Sequence, residues 1–105
     1  MKDYQFLKEM YADSYFPTIL VDKVKDILVH LCNQFAENPI HTIEDELIFI
    51  DETIEKINVL ENEFYAYESE IETAAREAIL GDVIQIMKFY NVRCDFEEAT
   101  GNREW

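Results

Sequence analysis

Glycine and proline are nearly missing from this 105-residue chain, with two of each. Their scarcity removes the turn positions that hairpins need and leaves no glycine-rich loop to cradle a phosphate or a dinucleotide, which favours helices. Cysteine is as rare. Cys32 and Cys94 match no metal or redox spacing, so two free thiols in a reducing compartment are expected. Bases are outnumbered, nine against 23 acids, for a formal charge of −14 and a pI near 4.3. Such a chain repels the phosphate backbone instead of releasing its counterions, and it repels anionic membrane surfaces for the same reason. Neither nucleic acid nor membrane is an expected partner. No apolar run approaches the length that crosses a bilayer. The opening MKDYQFLKEM carries two acids and lacks the apolar stretch and small-residue cleavage site of a secretory signal. A cytoplasmic location is the expectation.

What the chain does contain is apolar and aromatic side chains, 49% and 13% of its residues, too many for a disordered polymer despite the charge. One domain over residues 1–105 follows from the length. Tyr4, Leu7 and Tyr11, with Phe6 and Met10 beside them, recur at helical spacing and predict a short first helix ending near Asp13 or Ser14. Pro17 suits the first turn of a second helix, over about 17–36, with Leu20, Val24, Ile27, Leu28, Leu31 and Phe35 inward, ended by Asn38-Pro39. Thr42 reads as the cap of a third helix to about residue 67, with Ile43, Leu47, Ile50, Ile54, Ile57 and Phe64 at alternating steps of four and three and Glu61 breaking the series. Ser69-Glu70-Ile71-Glu72 matches a capping box that would open a fourth helix. That helix would bury Ile71, Ala75, Ala78, Ile79, Val83, Ile86, Met87 and Tyr90 and stop near Asn91. Residues 92–105 read as an irregular tail with one short turn at Asp95-Phe96-Glu97-Glu98. The fold class is therefore all-α, an antiparallel helical bundle of three long helices plus a short N-terminal one.

The stretches MYADSYFPTILVDKVKDILVHLC (10–32) and AREAILGDVIQIMKFY (75–90), with the closing Arg103-Glu104-Trp105, resemble a family of small bacterial proteins known as domain of unknown function 5713. The resemblance implies a bacterial, single-domain, helical protein and carries over no site.

Chemistry-bearing constellations are few. Inward glutamates with two Glu-x-x-His pairs would build a two-metal bundle site, and Glu-x-x-His does not occur. Asp22, Asp26 and His30, at successive steps of four, are the weak alternative, a carboxylate and imidazole face for zinc in a small metal-dependent hydrolase; His41 with Asp45 is the other spaced pair. Lys23 and Lys25 flank the first set on a polar face, which reads as solvated. Cys32, among Leu28, Leu31 and Phe35, reads as a buried inert thiol, and Cys94 lies between Arg93 and Asp95, whose effects on a thiol oppose each other. Asp82, on a mostly apolar helix, could be a functional carboxylate with a raised pKa; the favoured reading is that it pairs with an arginine, Arg76, Arg93 or Arg103, or caps a loop. Gly81 weakens its helix by about 1 kcal/mol relative to alanine unless a neighbouring helix uses the gap. No cofactor and no catalytic residue is expected.

Charge is distributed unevenly. Residues 37–72 hold twelve acids and one base, Lys56, and so carry eleven of the fourteen net negative charges. Self-repulsion on that scale destabilises a fold, and a partner of opposite sign relieves it; a solvated face that keeps the protein soluble is the plainer reading. Within the run, Ile48 and Phe49 fall off the inward seam, with Val59 further along. Either the first helix, with Phe6, Leu7 and Met10, covers them, or they form an apolar centre ringed by Glu44, Asp45, Asp51, Glu52 and Glu55. The second arrangement is how many tight interfaces are built, with Phe49 as the anchor. The candidate partner-binding set is accordingly Glu44, Asp45, Ile48, Phe49, Asp51, Glu52 and Glu55. The function expected is a non-enzymatic protein-binding module for a basic protein, by analogy of size and charge with small acidic immunity proteins that occlude a toxin or nuclease. The rivals are the hydrolase and a self-associating structural subunit; a monomer or weak homodimer is the expected state.

Overall fold

The Thr42 hydroxyl accepts from the backbone N–H of Asp45 (3.0 Å), and the Asp45 carboxylate accepts from the N–H of Thr42 (3.0 Å). This reciprocal box satisfies two donors that a helix start leaves orphaned. It opens the longest element of the computed structural model, which describes residues 1–105 and holds α1 (Lys8–Ala12), α2 (Thr18–Glu37), α3 (Ile43–Ala66), α4 (Thr73–Phe89) and α5 (Phe96–Ala99), with no strand. Two of the three long helices, α3 and α4, end by a shared device. After α3, Glu68 takes a left-handed φ of 58°, the N–H of Ser69 reaches the carbonyl of Phe64 (2.9 Å) and that of Glu68 reaches Tyr65 (3.0 Å). After α4, Asn91 does the same at φ 54°, with Val92 bonded to Met87 (2.9 Å).

That first ending corrects the expected start of the fourth helix. Ser69 does not cap α4: its N–H closes α3 and its hydroxyl donates to the carbonyl of Tyr15 (3.3 Å). α4 begins four residues later, behind Glu72, which makes no side-chain cap bond. The first helix is also shorter than its periodicity suggests. Leu7 adopts a left-handed φ of 56°, a conformation costing a bulky residue about 1–2 kcal/mol, so α1 starts only at Lys8. Its burial, with no exposed surface, and a hydrogen bond to Asp82 offset that cost.

One contiguous apolar cluster draws on all five helices, with Phe35, Phe64, Ile54, Ile57, Ile79 and Ile86 among its fully buried side chains; each contributes roughly 1.5–3 kcal/mol by leaving water. α2 packs on α3 and on α4, α1 lies on α4 and α2, and α5 lies on α3. α1 thus sits away from Ile48 and Phe49, and the expected cover from the first helix is not what the structure shows. Phe49 is instead half-buried against Phe35 of α2, ring centroids 5.5 Å apart and edge-on. The inward stripe of α3 is rotated from the expected one: Ile43 is exposed and Leu47 half-buried, while Glu46, Thr53, Asn58 and Leu60 are buried. An added Cβ at Gly81 would meet nothing within 4 Å, so no neighbour uses that gap. No helix is long and apolar enough to cross a membrane.

Candidate docking face and its buried supports

Glu46 has no exposed surface. A carboxylate there must find its solvation inside the protein. Its Oε1 accepts from the backbone N–H groups of Arg93 (2.9 Å) and Cys94 (3.0 Å), and its Oε2 lies 2.5 Å from His41 Nδ1 and 3.8 Å from Arg93 Nε. Arg93 also donates from Nη2 to the His41 carbonyl (3.0 Å), and the His41 ring stands edge-on to Phe35 at 5.2 Å. Glu46 therefore fastens residues 91–95 and the turn before α3 to the core. His41 thus meets Glu46 and not Asp45, its spaced neighbour in sequence, whose carboxylate is occupied by the Thr42 cap. The signal for Glu46 lay in a second heptad register, positions 46, 50, 53, 57, 60 and 64, which runs unbroken where the series through 43 and 47 meets Glu61.

Asp82 is the second buried acid, and it has no arginine partner. Tyr4 donates its hydroxyl (2.5 Å) and Leu7 its N–H (2.7 Å). The three arginines named for it are not its partners: Arg93 serves Glu46 and His41, Arg103 donates to the carbonyl of Trp105 (2.5 Å) with its guanidinium 5.3 Å over the indole, and Arg76 makes no ion pair. Burial pushes the Asp82 carboxyl above its ordinary range, opposed by those two donors, and burial with the Asp82 bond raises the Tyr4 hydroxyl.

The outer face of α3 is built differently. Glu44, Asp51, Glu52 and Glu55 are exposed, and none of them makes an ion pair; Ile48 beside them is 48% exposed. Asn102 of the tail lies across this face, donating to the Glu55 carboxylate (2.8 Å) and the Asp51 carbonyl (3.1 Å), while Asn58 holds the tail through Asn102 and Glu104. Next to it, α3 and α5 border an open groove of about 370 Å³ lined by Leu47, Ile48, Asp51, Glu52, Glu98 and Ala99. Glu98 extends the face onto α5, where Asp95 accepts from its N–H as helix cap (2.9 Å). Sequence reading missed it because nothing local places residue 98 beside residue 48. Of the expected set, the structure brings Ile48, Asp51, Glu52 and Glu55 together with Glu44 nearby in the chain, ties Asp45 to the cap, and turns Phe49 toward Phe35.

A further concentration of acids stands at the opposite end of α3. Glu72 beside Glu70 raises the Glu70 carboxyl, and the Tyr65 hydroxyl is raised by Glu61, by burial and by Glu70 and Glu72. The one ion pair in this half is Lys23–Glu63, 2.6 Å and exposed. Asp22, Asp26 and His30 lie on the exposed side of α2, where Asp22 accepts from Tyr11 (2.5 Å) and helps push that hydroxyl, with burial first, up to about 12. No three His, Cys, Asp or Glu side chains anywhere are placed to hold a metal ion. Both cysteines are free and buried, and burial raises both thiols, with Glu46 adding to the effect at Cys94. Arg93 does not activate the thiol.

A sequence model described as a family of unknown function, DUF5713, matches residues 1–105 of the chain. No curated protein and no solved structure matches it.

Proposed function

The chain belongs to the DUF5713 family, a family of unknown function, and on that premise we propose that it is a non-enzymatic protein-binding module that docks a basic protein on the outer face of α3. In its sharpest form it is a bacterial, cytoplasmic immunity or inhibitor protein that occludes the active site of a basic toxin or nuclease. One observation carries the reading: Asp51, Glu52 and Glu55 stand exposed and make no ion pair around the exposed Ile48, with Lys56 the one base on their helix, on a chain of formal charge −14. Exposed like charges left uncompensated within the molecule are neutralised at an interface with a basic surface. They also accelerate encounter with it at low salt.

Ile48, not Phe49, supplies the apolar contact, since Phe49 already packs on Phe35. The chemistry-bearing side chains found elsewhere are occupied. Glu46, His41 and Asp82 fasten chain segments, and both thiols are buried. An antiparallel single-domain bundle is the arrangement we infer, supported by the packing of α2 on both α3 and α4 and by the one apolar cluster. A rigid helix face of this kind presents its charges in fixed register.

The test is affinity capture on the immobilised protein at low salt, wild type beside Asp51→Asn/Glu52→Gln/Glu55→Gln. The expected result is a protein of net positive charge retained by the wild type, released as salt rises, and retained about tenfold less or worse by the triple variant. Equal retention by both would refute the assignment.

A further inference from the structure

The groove between α3 and α5 is lined half by apolar side chains and half by carboxylates. Leu47, Ile48 and Ala99 form its apolar part, and Asp51, Glu52 and Glu98 its carboxylates, contributed by two separate helices. None of the three carboxylates makes an ion pair. The occupant that fits is long, apolar along its stem and cationic at its tip. We propose that this groove receives an arginine side chain of the basic partner, a refinement that rests on the docking reading above.

Charge complementarity selects the occupant. A second copy of this chain would bring further negative charge to the same groove, and a neutral side chain would leave its three carboxylates unpaired. Arginine is favoured over lysine on physical grounds. Its guanidinium is planar and weakly hydrated, lies flat on apolar side chains, and offers five N–H donors in a fixed fork, which suits carboxylates arriving from two directions. Lysine is a compact, strongly hydrated point charge that gains less from that apolar contact. Glu98 is the diagnostic residue. It lies outside the charge run of residues 37–72, and its backbone role in capping α5 uses only its N–H, so its side chain can be changed without disturbing the helix start.

The experiment follows backbone-amide and methyl resonances of the full chain while Nα-acetylarginine N-methylamide is added at low salt, with the lysine and citrulline counterparts as controls. Shifts are expected to concentrate at Leu47, Ile48 and Ala99. Arginine should bind roughly threefold or more tighter than lysine, and citrulline, its neutral isostere, should not bind measurably. Glu98→Gln and Ile48→Ser should each weaken arginine binding about threefold or more, whereas Glu70→Gln/Glu72→Gln, at the other end of α3, should leave it unchanged. Arginine shifts spread equally over both acidic regions, citrulline acting like arginine, or Glu98→Gln without effect would each overturn the proposal. So would sedimentation showing a dimer whose contact shifts fall on these residues. Failure of the docking reading looks different: the Asp51, Glu52 and Glu55 triple variant would still capture a basic partner, whatever the arginine probe does in the groove.

Discussion

Glu46 and Asp82 are both buried acids on long helices, and each fastens an irregular stretch of chain. Glu46 has a histidine and an arginine beside it, whereas Asp82 is met only by a phenol and a peptide N–H. A third arrangement stands five residues along α3 from Glu46, where Asp51 begins an exposed row of carboxylates with no ion pair at all. With only nine lysines and arginines in the chain, placement decides what each acid does. His41, buried, and Arg93, largely exposed, both stand beside the carboxylate that desolvation would punish most. The outer face of the same helix is left to its solvent, or to a partner.

The sharpest way to break the comparison is at Glu46. Glu46→Ala leaves the buried N–H of Cys94 and the part-buried N–H of Arg93 without an acceptor and His41 without its carboxylate, and about 3–5 kcal/mol of stability should be lost in urea unfolding. Glu46→Gln keeps an oxygen for Arg93 and Cys94 and should cost about half as much. Equal costs would mean that the charge, and not the fastening of residues 91–95, is what matters. Asp82→Ala comes next, at about 2 kcal/mol, from unpairing Leu7 and Tyr4.

Asp82 should also make stability depend on pH. The folded Asp82 carboxyl sits above the 3.8 of a free aspartate because it is buried, so the folded state holds its proton to higher pH than the unfolded chain does. That contribution to stability is full below the unfolded value and is lost as pH rises through the folded one. Measured against Asp82→Asn, which has no proton to lose, the wild type should therefore lose relative stability between strongly acid and neutral solution. A flat difference across that range would show that the two donors, Tyr4 and Leu7, cancel the burial effect completely.

Gly81→Ala probes the same helix with a smaller, opposite effect. The added Cβ meets nothing within 4 Å, so the gain in helix propensity should appear almost undiminished, a stabilisation of about 0.5–1 kcal/mol. A loss in thermal unfolding would reveal that the groove beside Tyr4 and Asp82, which Gly81 borders, closes more tightly than its geometry indicates.

Much of the fold was legible because it depends on local rules. The Thr42 box, the helix-ending proline at 39, the stop at Asn91 and the short turn capped by Asp95 each follow from a few adjacent residues. What was not legible depends on distant partners. By sequence Glu46 is one of three acids in the first turn of α3, where a helix dipole favours anions, and only residues 93 and 94, brought up from the far end of the chain, make it a core residue. Asp82 was recognised as unusual, but its donors come from the N-terminal segment, whose helix begins late because Leu7 bends to reach it. The candidate face divided in the same way. Asp51, Glu52 and Glu55 share a side by helical period alone, Phe49 was lost to Phe35 across the α2 interface, and Glu98 was gained from α5.

The smallest expected effect tests whether the exposed row belongs to the fold or to a partner. In the Asp51→Asn/Glu52→Gln/Glu55→Gln variant no buried group is unpaired, and the Asn102 bond to residue 55 keeps an oxygen acceptor. Structural acids would cost stability on removal, as Glu46 does. Acids kept for an interface should instead repel one another in the free protein, so their neutralisation should stabilise it by up to about 0.5 kcal/mol at low salt. That gain should vanish as the screening length falls from about 10 Å at 0.1 M salt to about 3 Å at 1 M. A destabilised variant at every salt concentration would assign these three carboxylates to the architecture, and the contrast between the inner and outer faces of α3 would then disappear.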